Sequence, residues 1–201
     1  MTLFYRTIRL LTLSLFKLFY RLKVVGAEKL PKGAAILAAN HASHLDPPLI
    51  GVASPEPIHF LARETLFRPP LSFLINRLNA HPVARGEADI ASLKTILRLL
   101  SEGKKTVIFP EGTRTLDGNL QEMKKGVAML AMKANCPIVP IYIDGTYAAW
   151  PKGQKRPNFK GKITVYFGEP LYPEASPASR KEAQERLTQE LGRAIGSLRP
   201  R

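Results

Sequence analysis

The sequence predicts an α/β fold: a single domain with a central β-sheet flanked by helices, preceded by an amphipathic helix. Three observations carry this expectation. Short apolar runs alternate with segments of helical periodicity, Gly and Pro punctuate the joins, and two polar clusters each follow directly on an apolar run. At 201 residues and 45% hydrophobic the chain suffices for one domain with a substantial core.

The first element is residues 1–23. Their longest charge-free run, residues 10–16, is seven long, whereas a bilayer span takes about 20 mostly apolar residues. The segment is therefore not expected to cross a membrane. At about 100° per residue, Arg6, Arg9, Lys17 and Arg21 fall in one sector roughly 120° wide, and Leu3, Phe4, Leu11, Leu15, Leu18, Phe19 and Leu22 occupy the remainder. That layout predicts a helix lying in a membrane interface, basic edge toward anionic headgroups and apolar face in the acyl boundary. Packing of the same helix on the protein's own core is the alternative, and the two are compatible. Residues 1–23 are read as a membrane-anchoring segment and 24–201 as the globular domain; no small-residue cleavage site follows the apolar stretch, so no secretory signal is expected.

A short strand at 22–27 and a turn at Leu30-Pro31-Lys32-Gly33 lead to a buried strand at 34–39. Pro47 and Pro48 suit a first helical turn, which makes Asp46 the expected N-cap of a helix at 49–53. A strand at 58–62, a helix at 70–79 and a short strand near 82–84 follow. Residues 87–102 place Ile90, Leu93, Ile96, Leu97 and Leu100 on one helical side, with Gly103 at the end. The alternation continues with a strand at 106–109, an Asp117-Gly118 turn, a helix at 123–134 and a buried strand at 138–143. Residues 151–161 form a Pro/Gly/Lys loop, 163–167 a strand, and 179–198 a charged helix opened by a Ser179/Glu182 capping box.

Thirty Lys and Arg against 16 Asp and Glu leave a net charge of +14, whose complements are polyanions. A nucleic-acid partner is not expected, because no zinc pattern or RNA-recognition signature is present and the charge is spread over the whole chain. The single cysteine, Cys136, permits no intramolecular disulfide and no cysteine metal cluster. Within its apolar run it reads as a small buried hydrophobe rather than a nucleophile, in a reducing compartment.

The chemistry is concentrated in the two polar clusters, which in an open α/β sheet would face one crevice outside the strand ends. In Asn40-His41-Ala42-Ser43-His44-Leu45-Asp46, a turn running into a helix can fold the Asp46 carboxylate back beside the His41 imidazole. Asp46 then fixes the tautomer and supports the imidazolium, while the other ring nitrogen takes a proton from an incoming hydroxyl. The alternative is a hydrogen-bonded loop histidine beside a helix cap. Ser43 lacks the glycine-flanked elbow of a serine hydrolase. In Phe109-Pro110-Glu111-Gly112-Thr113-Arg114, Arg114 offers a rigid donor fork suited to a phosphate monoester, and Gly112 permits close backbone approach. Taken alone, E-G-T-R is equally an ordinary polar turn. Lys124 and Lys125 either add positive potential nearby or form a solvated helix start.

In order and at this separation, the two clusters resemble the N-H-x-x-x-x-D and F-P-E-G-T-R blocks of the 1-acylglycerol-3-phosphate acyltransferase family of glycerolipid synthesis. Val83-Ala84-Arg85 and Val139-Pro140-Ile141 correspond to two weaker blocks, and the likeness runs from about Val24 to Tyr172. The resemblance implies that His41 is the general base and Asp46 its partner. It makes Arg85, Glu111, Gly112, Thr113 and Arg114 substrate-side residues, with arginines on the phosphate and Glu111 on the glycerol hydroxyls. Arg63 stands where the family commonly has Lys, Thr65 replaces a glutamate, and Ala84 replaces the usual Asp before Arg85; these departures bear on acceptor and acyl chain more than on the reaction. The implied activity moves a fatty acyl group from acyl-CoA or acyl carrier protein to the sn-2 hydroxyl of lysophosphatidate, giving phosphatidic acid. No metal and no cofactor beyond the thioester co-substrate is expected. Another acceptor, namely glycerol 3-phosphate, another lysophospholipid or a lyso-aminolipid, is the alternative within the class. The implied partner is a phospholipid bilayer, with the protein peripheral or monotopic on the cytoplasmic face of the cell membrane.

Overall fold

The computed structural model describes residues 2–83, 90–174 and 179–200. A seven-stranded sheet, in the order β1-β7-β6-β2-β5-β3-β4, forms the centre: β1 Lys23–Val25, β2 Ala35–Ala39, β3 Ile58–Arg63, β4 Ala80–Val83, β5 Lys105–Ile108, β6 Ile138–Asp144 and β7 Thr164–Phe167. Strands β2 to β6 are mutually parallel, β7 pairs antiparallel with β6, and β1 pairs parallel with β7. The helices are α1 Leu3–Tyr20, α2 Asp46–Ala53, α3 Leu71–Arg77, α4 Ile90–Ser101, α5 Gly126–Ala134, α6 Thr146–Ala149 and α7 Arg180–Ser197.

Strand β2 shows why the sheet is covered on both sides. All five of its residues are buried, and alternate side chains enter different cores, as the two-residue strand period requires. Ala35, Leu37 and Ala39 join Phe16, Tyr20, Leu49 and Ile50 of α1 and α2. Ile36 and Ala38 join Ile96, Val127, Ala131, Leu187 and Leu191 of α4, α5 and α7. The predicted α/β architecture is thus observed.

Helix α1 has three faces. Tyr5, Phe16 and Tyr20 are buried against the domain, and Arg9 Nε donates to the Ser54 carbonyl at 3.1 Å. Arg9 is therefore turned toward the protein rather than along a free basic edge, and Leu22 is 7% exposed in the core rather than on the apolar face. The other apolar residues, Leu3, Phe4, Leu11, Leu15, Leu18 and Phe19, are exposed, opposite the buried stripe. Because Phe16, Tyr20 and Leu22 belong to the same core as β2, α1 is an integral layer of the domain as well as an N-terminal extension. No described helix is long and apolar enough to cross a membrane.

Several expectations change in detail. The N-cap of α2 is Leu45, with no side-chain bond, and Asp46 is the first helical residue; its carboxylate is engaged elsewhere, as shown below. Ser179 is the N-cap of α7, but its side chain makes no capping bond, so the capping box is not formed. Helix α5 starts at Gly126 instead of residue 123, because Lys124 N–H donates to the Pro110 carbonyl at 2.9 Å and holds that stretch extended across the F-P-E-G-T-R turn. On α4, Leu99 is buried and Ile90 exposed. The short helix α6 had no recognised signal; it follows Gly145, whose φ of 83° and contact with the Lys162 carbonyl leave no room for a Cβ.

Candidate active site

The site is assembled where β2 and β5 leave the sheet. These strands are adjacent and parallel, with Ala38 opposite Ile108, so the residues that follow each emerge side by side at one edge. Asn40 fixes the departure from β2: its Nδ2 donates to the Ile143 carbonyl at 3.1 Å and its Oδ1 accepts from Ile143 N–H at 2.7 Å. The side chain thereby continues the sheet for one step toward β6.

The next residue, His41, is clamped by the second cluster. Its N–H donates to Glu111 Oε1 at 2.8 Å, and its carbonyl accepts from Thr115 N–H at 2.9 Å. The imidazole stacks on Phe109, with centroids 4.0 Å apart and planes 18° from parallel. Its Nδ1 lies 2.8 Å from Asp46 Oδ2. The same oxygen accepts the N–H groups of Ala42 at 2.7 Å and Ser43 at 2.8 Å. An oxygen that already accepts two backbone protons acts as acceptor toward the ring as well, so the proton sits on Nδ1 and Nε2 is left with its lone pair. Asp46 is fully buried and the His41 side chain is 19% exposed. The predicted His41–Asp46 contact is therefore formed, and Asp46 serves the 41–43 turn instead of capping α2.

The neighbouring candidates differ from His41 in their contacts. Ser43 is completely buried and its hydroxyl donates to the Trp150 carbonyl at 2.7 Å. His44 leans on Trp150 and has no carboxylate partner of its own among the described residues; burial, with Arg114 and His41 nearby, lowers its pKa. Cys136 is buried at a distance from the clusters, and burial pushes its thiol up to about 11.

In the second cluster, Glu111 is 3% exposed, with Oε1 on His41 N–H and Oε2 accepting Gln121 N–H at 3.3 Å. Its carboxylate thus holds backbone, with one N–H on each oxygen. Gly112 and Thr113 are exposed on the turn. Gly112 has φ of 73° and carries the Lys124 side chain directly over its Cα, where a Cβ would meet Nζ at 2.6 Å. Lys124 therefore lies at the turn, whereas Lys125 pairs with Glu185 on α7 at 2.5 Å. Arg114 is half-buried, and its Nη1 is buried without a hydrogen-bond partner among the described residues. Its pKa is lowered by burial and by the nearby charge of Arg63. Arg63, at the end of β3, is exposed. Arg85 lies outside the described residues.

The Glu111 carboxyl is raised from 4.5 to about 7, chiefly by burial. Between those two values the folded state binds more protons than the unfolded one, so the contribution of Glu111 to stability falls as pH rises through this window. The shift corresponds to a cost on the order of 3 kcal/mol once the group ionises in place. Glu111→Gln should therefore gain Tm relative to the parent as the pH is raised from about 4.5 to 7. Parallel Tm profiles of the two proteins would show that Glu111 does not titrate in this window.

Sequence reasoning did not single out Asn40 as a β2–β6 splice, Phe109 as the platform under His41, or the Trp150 carbonyl as the anchor of Ser43. The first two stand inside the quoted blocks, but their contacts join residues far apart in the chain. Nothing local marks Trp150.

A protein-family model described as Acyltransferase matches residues 21–144. The 1-acyl-sn-glycerol-3-phosphate acyltransferase of Bacillus subtilis is 31% identical over 180 residues, 88% of this chain and 87% of that protein. Its namesake from Limnanthes douglasii is 37% identical over 160 residues, 75% of this chain, and this chain spans only 54% of that longer relative. The crystal structure of the 1-acyl-sn-glycerophosphate (LPA) acyltransferase PlsC from Thermotoga maritima superposes with a TM-score of 0.81 at 30% identity, covering 98% of this chain and 80% of the other. With the family model spanning both polar clusters and the same fold enclosing them, the chain belongs to the acyltransferase family, among relatives that carry the name 1-acyl-sn-glycerol-3-phosphate acyltransferase.

Proposed function

We propose that the chain transfers a fatty acyl group from acyl-CoA or acyl carrier protein to the sn-2 hydroxyl of 1-acylglycerol 3-phosphate, giving phosphatidic acid. The observation that carries this reading is the His41–Asp46 pair, 2.8 Å apart, beside an Arg114 whose buried Nη1 has no partner among the described residues. His41 Nε2 takes the hydroxyl proton as the oxygen attacks the thioester carbonyl. The tetrahedral intermediate collapses with loss of the thiolate, which receives the proton from the imidazolium. Transfer is direct and needs no acyl-enzyme, in keeping with the unavailability of Ser43. Positioning and a general base meet most of the chemical demand, because the thiolate is a good leaving group.

Arg114, with Arg63 near it and Lys124 over Gly112 of the same turn, supplies the positive field for the acceptor phosphate. Arg114→Ala should raise the apparent KM for lysophosphatidate about 10- to 100-fold, the worth of a hydrogen bond to a charged group, with a smaller effect on kcat. An unchanged KM would remove Arg114 from the acceptor site. The direct test of the whole reading is an assay of the purified protein with both thioester donors and a panel of acceptors, the products identified by mass. Transfer to glycerol 3-phosphate in preference to lysophosphatidate would reassign the acceptor, and hydrolysis without transfer would reject the reading.

The same proposal places the protein peripherally on the cytoplasmic face of the cell membrane, where the anionic leaflet complements the +14 charge. The exposed apolar face of α1 supports it, since that face points away from the core that α1 covers. Removing α1 would also strip Phe16 and Tyr20 from the core, so point substitutions test the idea better. Leu11→Asp/Leu15→Asp should abolish sedimentation with phosphatidylcholine vesicles and leave Tm nearly unchanged, because both residues are more than half exposed. Undiminished sedimentation would end the anchoring role of this face.

A further inference from the structure

Strand polarity puts a second feature at the active-site edge. Strand β6 runs parallel to β2 and leaves the sheet at Asp144, and β7 re-enters opposite it at Thr164. The excursion between them, residues 145–163, therefore lies at the edge where His41 emerges, and Pro151 bridges to Ser43. The C-terminal end of α1 is tied to the same place: Ile163 N–H donates to the Tyr20 carbonyl and Lys23 N–H to the Ile163 carbonyl, both at 3.0 Å.

Between the two lies a shallow cavity of ≈ 460 Å³, separate from the His41 site. Arg21, Lys160 and Lys162 line it together with Leu18, Phe19 and Phe159. Phe159 is 55% exposed and packs on Phe19, centroids 5.2 Å apart, and on Tyr20, 6.1 Å apart. Residues 151–163 carry Lys152, Lys155, Arg156, Lys160 and Lys162 and no acidic residue. No ion pair is formed by Arg21, Lys160 or Lys162 among the described residues.

We infer that this cavity seats the headgroup of an anionic phospholipid of the bilayer on which the protein works. Three cations set beside exposed aromatic and aliphatic side chains match the two zones of a lipid surface: phosphate at the headgroup level, acyl chains below it. An acidic protein partner would complement the charges but leave Leu18, Phe19 and Phe159 facing water. The inference rests on the proposal that α1 lies on a membrane, and extends it: α1 supplies the apolar contact, while the 151–163 loop selects anionic lipid and brings the active-site edge to the bilayer. Lysophosphatidate would then reach His41 from the plane in which it is dissolved.

Co-sedimentation of the full chain with vesicles of phosphatidylcholine alone, and of phosphatidylcholine with phosphatidylglycerol, tests this. Each basic residue near an anionic surface contributes about fivefold to partitioning, so Lys160→Ala/Lys162→Ala should bind the mixed vesicles about 30-fold more weakly. Its binding to pure phosphatidylcholine, and its transfer to detergent-dispersed lysophosphatidate, should match the parent; the latter also reports an intact fold. Equal binding of variant and parent to the mixed vesicles overturns the inference. So does a rise in KM for an acyl carrier protein thioester with vesicle binding unchanged, which would make the surface a carrier-protein dock. Loss of transfer in detergent would assign the two lysines to the catalytic site and also overturn it. If the parent binds phosphatidylcholine but gains nothing from phosphatidylglycerol, the headgroup seat fails while the α1 reading stands; if it binds neither composition, both fail.

Discussion

His41→Ala should lower kcat by at least about 10²- to 10⁴-fold, the range for a positioned general base, in a protein that still folds. The two parts of this expectation have separate causes. The loss of rate follows from removing a ring nitrogen that a buried carboxylate orients and leaves free to take a proton. Retention of the fold follows because the clamp on residue 41 is made by its backbone, to Glu111 and Thr115, which alanine keeps. Asp46 would still accept Ala42 and Ser43 N–H, so the stability lost should be about 1–2 kcal/mol. Steady-state kinetics with saturating donor and acceptor, beside a thermal melt, separate the two. A variant that keeps most of its kcat would reject His41 as the base.

Asp46→Ala should cost both activity and stability. Without the carboxylate, the His41 tautomer is no longer fixed with its lone pair at Nε2, so kcat should fall to about the level of His41→Ala. The Ala42 and Ser43 N–H groups, buried around Asp46 Oδ2, would lose their acceptor. Unsatisfied buried donors cost about 1–3 kcal/mol each, so a total of about 2–6 kcal/mol is expected, or a Tm lower by roughly 4–24 °C for a chain of this size. The double variant should be scarcely less active than either single one, because residues acting as a unit are not additive. Multiplicative losses would show that Asp46 acts on rate independently of the imidazole.

The contrast between these residues marks how far the sequence could be read. His41 and Asp46 were legible because the imidazole and carboxylate are local, separated by a turn that can bring them together. Glu111 was legible as a candidate for the site, but not as the acceptor of His41 N–H, since that bond joins positions 70 apart in the chain. The expected N-cap role of Asp46 and the capping box of Ser179 rest on local propensities. At Asp46, stronger partners on the 41–43 turn outcompete the helix end; for Ser179, the structure gives no reason for the missing bond. Helix α5 starts late for a tertiary reason as well, because the Pro110 carbonyl binds the segment that periodicity assigned to its first turn.

By itself the sequence determined the alternation of strands and helices, the amphipathic design of α1 and the residue types of both clusters, because these depend on periodicity and composition along the chain. Only the tertiary structure decided that β2 and β5 are neighbours, that β7 runs against β6, and that Arg9 of α1 turns inward while its leucines stay exposed. Strand order is fixed by which buried faces and backbone groups are satisfied together, and that choice belongs to the whole core. No short segment of the chain contains it.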